Sequence, residues 1–492
     1  MFPPYLFAYA ETLRVEPAVV ALRRLAEASG AKLWITGGTL RDVILARWPK
    51  DLDLAVDGDP IALGQQLAAE GLATFVPLDP STGTVRAAIQ STQGITWIDM
   101  VALRADDIET DLWARDFSIN AIALPLDDSF DAGTGVFIDP TGGRDDLHNR
   151  TLRLTTDQAI SDDPLRILRG YRLMAQLGFE LPPKTRQALQ QHAALADRPS
   201  AERIVQELAG LLAAPDPSVA LSAMMADGVL GAIIPELAKA VGVGQNAYHH
   251  LDVWEHTLET VRQMATMVHS PAARADESFD GYLADTANHS PLLWSALLHD
   301  VGKPDCRTQV DEAVHFYRHE QVGAKQTAAI SKRLRLSKKH QDRITRLVQN
   351  HLRPLLLLAQ QGPEALTPRA ADRLGQAMED DLAGLFLLAI ADTRATQGPA
   401  AQKDGEAQLT ALWQRLTALR EKHILPVDEE SPWLTGHDLI HRFGIPEGPL
   451  VGEWLAALRD ARIEGRINDR QDLKHWLAAR LKALHNNSEK ES

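Results

Sequence analysis

Residues 33–53, LWITGGTLRDVILARWPKDLD, limit the fold more tightly than any other stretch of the chain. Leu33–Thr36 reads as a strand, Gly37-Gly38 as a turn and Thr39–Arg47 as a helix, and a second strand ends in Asp51-Leu52-Asp53. Side chains alternate across a strand, so Asp51 and Asp53 project from the same face. Two carboxylates held that way suit the hard Mg²⁺ ions of phosphoryl and nucleotidyl transfer. The glycines let backbone N–H groups approach a triphosphate, and the start of the following helix favours its charge. Acid-x-acid spacing alone carries little, because Asp57/Asp59 and Glu109/Asp111 share it and read as solvated turns. The order of the pieces is what predicts an enzyme that consumes nucleoside triphosphates.

A chain of 492 residues predicts more than one domain. No apolar run reaches membrane-spanning length and Met1–Arg14 lacks the pattern of a signal peptide, so a cytoplasmic protein with no membrane partner is expected. A single cysteine, Cys306, excludes intrachain disulfides and thiolate zinc clusters. The net charge of −15 makes any nucleic-acid partner depend on local basic patches. The candidate is Lys332–Arg353, where Lys332, Arg333, Arg335, Lys338, Lys339, Arg343, Arg346 and Arg353 oppose only Asp342. A solvated helix face accounts for the same run equally well.

Strand-like segments such as Ile95–Leu103 and Ile119–Leu124 mix with short helices up to about residue 150. Beyond about 155 strand signals almost vanish, and helical periodicity runs through Pro164–Leu177, Ala201–Leu212, Pro291–His299, Thr367–Ala391 and Gly405–Leu419. The fold class is therefore α+β: a mixed-sheet head followed by an all-α remainder. The polar stretch 270–290 reads as a mobile loop, 396–404 and 421–433 as connectors, and 485–492 as a frayed tail.

Three further groups extend the constellation. Asp99, in the strand-like Thr96–Met100, is the candidate third carboxylate, although a half-buried acid satisfied by a donor reads the same way. Arg115, Asp116 and Asn120 stand before an apolar strand, where Arg115 suits phosphate and Asp116 or Asn120 suits ribose hydroxyls; a surface ion pair is the plainer reading. Asp162-Asp163-Pro164 makes a good helix start. Asp163 and Arg166, three apart, are expected on one helix face, where an acceptor beside a donor matches cytosine and adenine but not guanine or uracil.

In order, GGTLRD…KDLDL, RDFSINAIA, GGRDDLHNRTLR, DDPLRILRGYRLMAQLGF, AERIVQEL and LTGHDLIHRFGIPEGPLVGEWLAAL resemble bacterial-type (class II) tRNA nucleotidyltransferases and their poly(A) polymerase relatives over nearly the whole chain. The resemblance implies Asp51, Asp53 and Asp99 as catalytic acids with Mg²⁺ on the first two. Gly37, Gly38, Arg41, Arg115, Asp116, Asn120, Asp163, Arg166 and Arg169 would bind the nucleotide, with Asp163 and Arg166 as the template for the base. A hinge is implied around Gly143–Arg153. The implied division is a head (1–155), a neck with the template region (156–245), a metal-binding helical domain (246–395) and a tRNA-binding tail (396–492). The implied partners are tRNA, CTP and ATP. Two departures stand out: Asp162 replaces the usual glutamate, and only ten residues separate Arg104 from Arg115. Members that add the final adenosine usually carry a longer, flexible loop there. The short link resembles CC-only enzymes, which leave adenosine to an A-adding partner enzyme. Addition of CCA, addition of CC alone and poly(A) synthesis are the alternatives within this class.

A second constellation lies downstream. His299-Asp300 ends a helix before Val301-Gly302-Lys303-Pro304, and His256, His319, His351 and Asp392 occupy other helical sites. Taken in order they resemble HD-type metal phosphohydrolases. That likeness implies His256, His299, Asp300 and Asp392 around a first divalent metal (Mn, Fe, Ni, Co, Zn or Mg) and His319 and His351 at a second metal or at phosphate. An HD phosphohydrolase with an inactive head, and a helical body that keeps these ligands without turnover, are the contrasting readings.

Overall fold

A computed structural model describes residues 3–79, 83–91, 94–310 and 313–488. Its contacts divide into two compact units, up to Ile233 and from Ile234 onward. No helix among the described residues is long and apolar enough to cross a membrane. As expected, an α+β head precedes a helical remainder.

The first unit is built on a six-stranded sheet: β1 (Lys32–Thr36), β2 (Asp51–Asp57), β3 (Thr74–Asp79), β4 (Thr84–Ala88), β5 (Trp97–Ala102) and β6 (Ala123–Pro125), ordered β3-β4-β5-β2-β1-β6. Only β2 and β5 run parallel; the other pairs are antiparallel. The strand after the glycine-led helix begins at Asp51 instead of ending at Asp53, because Leu52, Leu54 and Val56 continue the apolar alternation into the core. The helix itself spans Gly37–Ile44, so the glycines are its first residues. Ala46, at φ 55°, stops it short of Arg47. Ser118–Asn120 is a 3₁₀ turn, and of the expected strand Ile119–Leu124 only Ala123 and Leu124 join the sheet, within β6.

The second unit is helical apart from a hairpin that sequence periodicity missed, β7 (Arg307–Val310) with β8 (Ala313–Phe316). Two four-residue strands offer too little alternation to read. The expected single helix Thr367–Ala391 is two, Pro368–Met378 and Leu382–Ala395, parted at Glu379 with φ 51°. The stretch 270–290 is a series of short helical turns, not a loop. Phe279 is fully buried and stacks on Trp413 at 5.0 Å, while Asn288 and Tyr282 are held by Arg343. Residues 421–429 are helical too, and the last helix runs from Arg470 to Ser488; positions 489–492 of the expected tail lie outside the described residues. The segment 396–404 is a connector, as expected.

Part of the basic run Lys332–Arg353 is paired within the fold. Arg343 and Arg346 pair with the buried Asp381, Arg333 with Glu236, and Lys338 with Asp342. Those four residues serve structural pairing.

Candidate functional site

Register across three strands builds the first site. Asp53 on β2 lies opposite Asp99 on β5, and Asp99 lies opposite Arg86 on β4. Asp51 precedes Asp53 by two and shares its face. The Thr39 hydroxyl donates to the Asp51 carbonyl (2.9 Å) and accepts from the Asp53 N–H (2.7 Å), and the Thr39 N–H donates to Asp53 Oδ2 (3.1 Å). The glycine-led helix is thereby tied to the acid strand. A Cβ on Gly37 would stand 3.0 Å from Asp53 Oδ2, and its φ of +63° also favours glycine. Burial and the neighbouring Asp99 push both Asp51 and Asp53 above the usual carboxylate range, while the Thr39 N–H pulls Asp53 back. Three carboxylates crowded in this way fit a divalent cation, whose binding would displace protons. Arg86 meets Asp99 through two bonds of 2.7 and 2.6 Å. Sequence reasoning missed this arginine, because cross-strand register is not written locally.

The acids line one wall of a cavity of about 740 Å³, together with every nucleotide-site residue expected from the sequence. A polar chain crosses it. Arg41 donates to Asn120 (2.9 Å), Asn120 to Asp116 (3.2 Å) and Arg169 to Asp116 (2.9 Å), while Glu207 accepts from Arg169 and Arg172. Burial opposes the charge of Asp116, but Arg169, the Phe117 N–H and Asn120 outweigh it and hold the carboxyl well below its usual range. Arg115 pairs with Asp111 in the short helix Ile108–Trp113, whose N-terminus Asp107 caps. The ten-residue link is therefore folded helix for most of its length.

Asp163 and Arg166 do not share a helix face. Asp163 stands in extended backbone ahead of the helix Leu165–Leu177, where it accepts from the Leu165 N–H and from Arg203 (2.7 Å). Arg166 is buried and donates to the carbonyls of Ala114, Arg115 and Ala159. Asp162 is exposed, so backbone carbonyls support Arg166 where the family's glutamate is missing. Arg203 and Glu207 were not anticipated, although both lie in the AERIVQEL segment. The expected hinge Gly143–Arg153 contains the helix Gly143–His148 and an Arg153–Asp146 ion pair (2.6 Å).

The second site lies in the second unit. Helices bring His256, His299, Asp300, His319, His351 and Asp392 into one buried cluster. His256 Nε2 stands 3.0 Å from Asp392 and 3.3 Å from His299 Nε2, and His299 Nε2 stands 3.1 Å from Asp300 Oδ2. This two-histidine, two-aspartate set fits a divalent transition metal or Mg²⁺. Lys303 Nζ approaches Asp300 Oδ2 at 2.6 Å, and His249 packs edge-on to His256. Burial and Lys303 drive the His249 pKa down to about 3, so that ring is neutral. A cavity of about 470 Å³ opens onto the cluster between Lys303, the hairpin residues His315 and Tyr317, and a Leu352–Leu355–Leu358 wall.

Family models match three parts of the chain: the poly A polymerase head domain over 33–153, the probable RNA and SrmB-binding site of polymerase A over 178–241, and the HD domain over 253–392. An A-adding tRNA nucleotidyltransferase of Deinococcus radiodurans is 34% identical over 451 residues, covering 90% of this chain and 94% of that one. A CC-adding tRNA nucleotidyltransferase of Thermus thermophilus is 33% identical over 450 residues, covering 90% and 92%. Among solved structures, a CCA-adding enzyme in complex with ATP superposes with a TM-score of 0.61 at 20% identity, covering 95% of this chain and 96% of that one, which is a likeness of fold.

Proposed function

The chain belongs to the family of bacterial-type tRNA nucleotidyltransferases and poly(A) polymerases, and from that premise we propose that it extends the 3′ end of tRNA, without a nucleic-acid template, with nucleotides from CTP and ATP. The observation that carries this reading is the Asp51–Asp53–Asp99 row beside the Gly37-led helix start. The tRNA 3′-hydroxyl oxygen attacks the α-phosphorus; its bond to phosphorus forms as the α–β bridge breaks and pyrophosphate leaves. Asp51 and Asp53 would hold Mg²⁺, with Asp99 as the third acid. Bound there, the cations lower the pKa of the attacking hydroxyl and stabilise the leaving group. Arg41, Arg115 and Arg169 receive the triphosphate, and Asp116 with Asn120 the ribose. The Asp163 carboxylate, with the Arg203 guanidinium on it and Arg166 lining the same cavity, meets the base edge that cytosine and adenine share. The family models over 33–153, 178–241 and 253–392 support a head (1–155), a neck (156–245) and an HD-type domain (246–395), and 396–492 is proposed as the tRNA-binding tail.

A second reading concerns where addition stops. Two relatives of nearly equal identity carry opposite names, so overall likeness does not choose between them. The capped helix that fills the Arg104–Arg115 link favours stopping after two cytidines, with a separate A-adding enzyme acting on the same cytoplasmic tRNA. Sequencing the 3′ ends made from tRNA lacking CCA, with CTP and ATP both present, tests both. Ends in CC are expected. Complete CCA ends would overturn the early stop, and processive tailing from ATP alone would overturn the tRNA reading.

In the second unit, His256, His299, Asp300 and Asp392 would hold a divalent cation that lowers the pKa of a water for attack on phosphorus. Phosphate esters at damaged RNA 3′ ends are the substrates proposed for this phosphohydrolase.

A further inference from the structure

On the face of the sheet that carries the acids, β5 presents one more side chain. Trp97 precedes Asp99 by two residues and lies opposite Asp51 on β2, as Asp99 lies opposite Asp53. Across β4 its partner is Ala88, two residues beyond Arg86 and too small to cover an indole. The Trp97 ring is partly exposed. Arg86 is fixed by its two bonds to Asp99, and its guanidinium lies over the ring, 5.2 Å from the centroid. An aromatic plane is thereby held at the end of the acid row, and the transfer chemistry described above gives it no task.

Its place fits the RNA end that attacks. The glycine-led helix joins β1 to β2, so the triphosphate it receives lies on the β1 side of the acids. Trp97 and Arg86 lie on the other side, toward β5 and β4. The attacking and leaving oxygens stand roughly in line across the phosphorus. The attacking strand therefore enters from the β5–β4 side, with its last base beside the indole. That base changes with every addition, from whichever base ends the shortened tRNA to cytidine. Hydrogen-bond readout would favour one of these ends, whereas a π-face accepts every base.

We propose that Trp97, held by Arg86, is a stacking platform for the 3′-terminal base of the RNA being extended. The inference deepens the nucleotidyl-transfer reading of this site and rests on it. Arg86 acts through the ring as a positioning residue, and the incoming nucleotide keeps its own contacts on the Asp163 side.

Extension with CTP of two tRNAs lacking CCA, one intact and one abasic at its last nucleotide, tests the contact in the full chain. For the wild type, removing that base should lower kcat/KM for tRNA roughly five- to hundred-fold, the range of one base–aromatic stack. Trp97→Leu keeps apolar bulk in the strand but no stacking face, and it should use the two ends nearly equally. Trp97→Phe, which restores an aromatic face, should recover most of the difference. A wild type indifferent to the missing base, or a Trp97→Leu protein that distinguishes the ends as well as the wild type does, would overturn the platform and leave polymerisation standing. Failure of the wild type to extend either tRNA would overturn the polymerising reading beneath it.

Discussion

Asp116 keeps its charge in a buried position because Arg169, Asn120 and the Phe117 N–H all donate to it. Its folded-state pKa lies below the ordinary value of about 3.9, so its contribution to stability is complete above that pH and lost as pH falls through the folded value. Asp116→Asn should cost about 3 kcal/mol at neutral pH by leaving half-buried Arg169 with Glu207 as its one carboxylate partner. Urea midpoints of the two proteins should converge as pH drops below 4, and a pH-independent gap would contradict the assignment. Arg86 poses a different question. It holds both oxygens of Asp99, so cations drawn to Asp99 compete with a guanidinium. Arg86→Met should lower the Mg²⁺ concentration for half-maximal cytidine incorporation several-fold; a rise would mean that Arg86 serves the substrate directly. None of these partnerships was legible at the residue level. Asp51, Asp53 and Asp99 could be named from strand pattern, but the partner across β4 depends on register.

Elements show where local pattern misleads. The stretch 270–290 is polar enough to read as loop, yet Asp381 organises it from outside. That buried carboxylate accepts from Arg343, Arg346 and Tyr282, and Arg343 passes on to Asn288. The same contacts take up Arg343 and Arg346 of the basic run that suggested nucleic acid. Asp381→Ala, which takes the carboxylate from Arg343 and leaves Arg346 with Glu379, is expected to destabilise the second unit by about 3–5 kcal/mol. Thermal unfolding is the measurement, and a loss below 1 kcal/mol would show that water satisfies those arginines. The Gly37–Ile44 helix behaves oppositely. Its glycines, its threonine and the following acid pair are contiguous, so the cradle was readable before any coordinates.

Across the whole molecule the two sites lie in different units, and each is built from side chains of its own unit. Asp51→Asn should abolish nucleotide incorporation and spare phosphoesterase activity, and His299→Ala should do the reverse; loss of both activities in either well-folded variant would contradict separate chemistry. The amino-acid order alone determined the α+β head, the helical remainder and the acid pair with its glycine cradle, because each rests on alternation, helical spacing or contiguous motif, while the histidines of the HD cluster came from the resemblance to HD-type phosphohydrolases. Tertiary structure decided that Arg166 turns to backbone carbonyls, that Arg86 faces Asp99, that Arg343 and Arg346 of the basic run meet Asp381, and that His319 and His351 stand 3.3 Å apart beside Asp300. Those outcomes depend on which distant groups meet at hydrogen-bonding distance, and only the packed chain sets that.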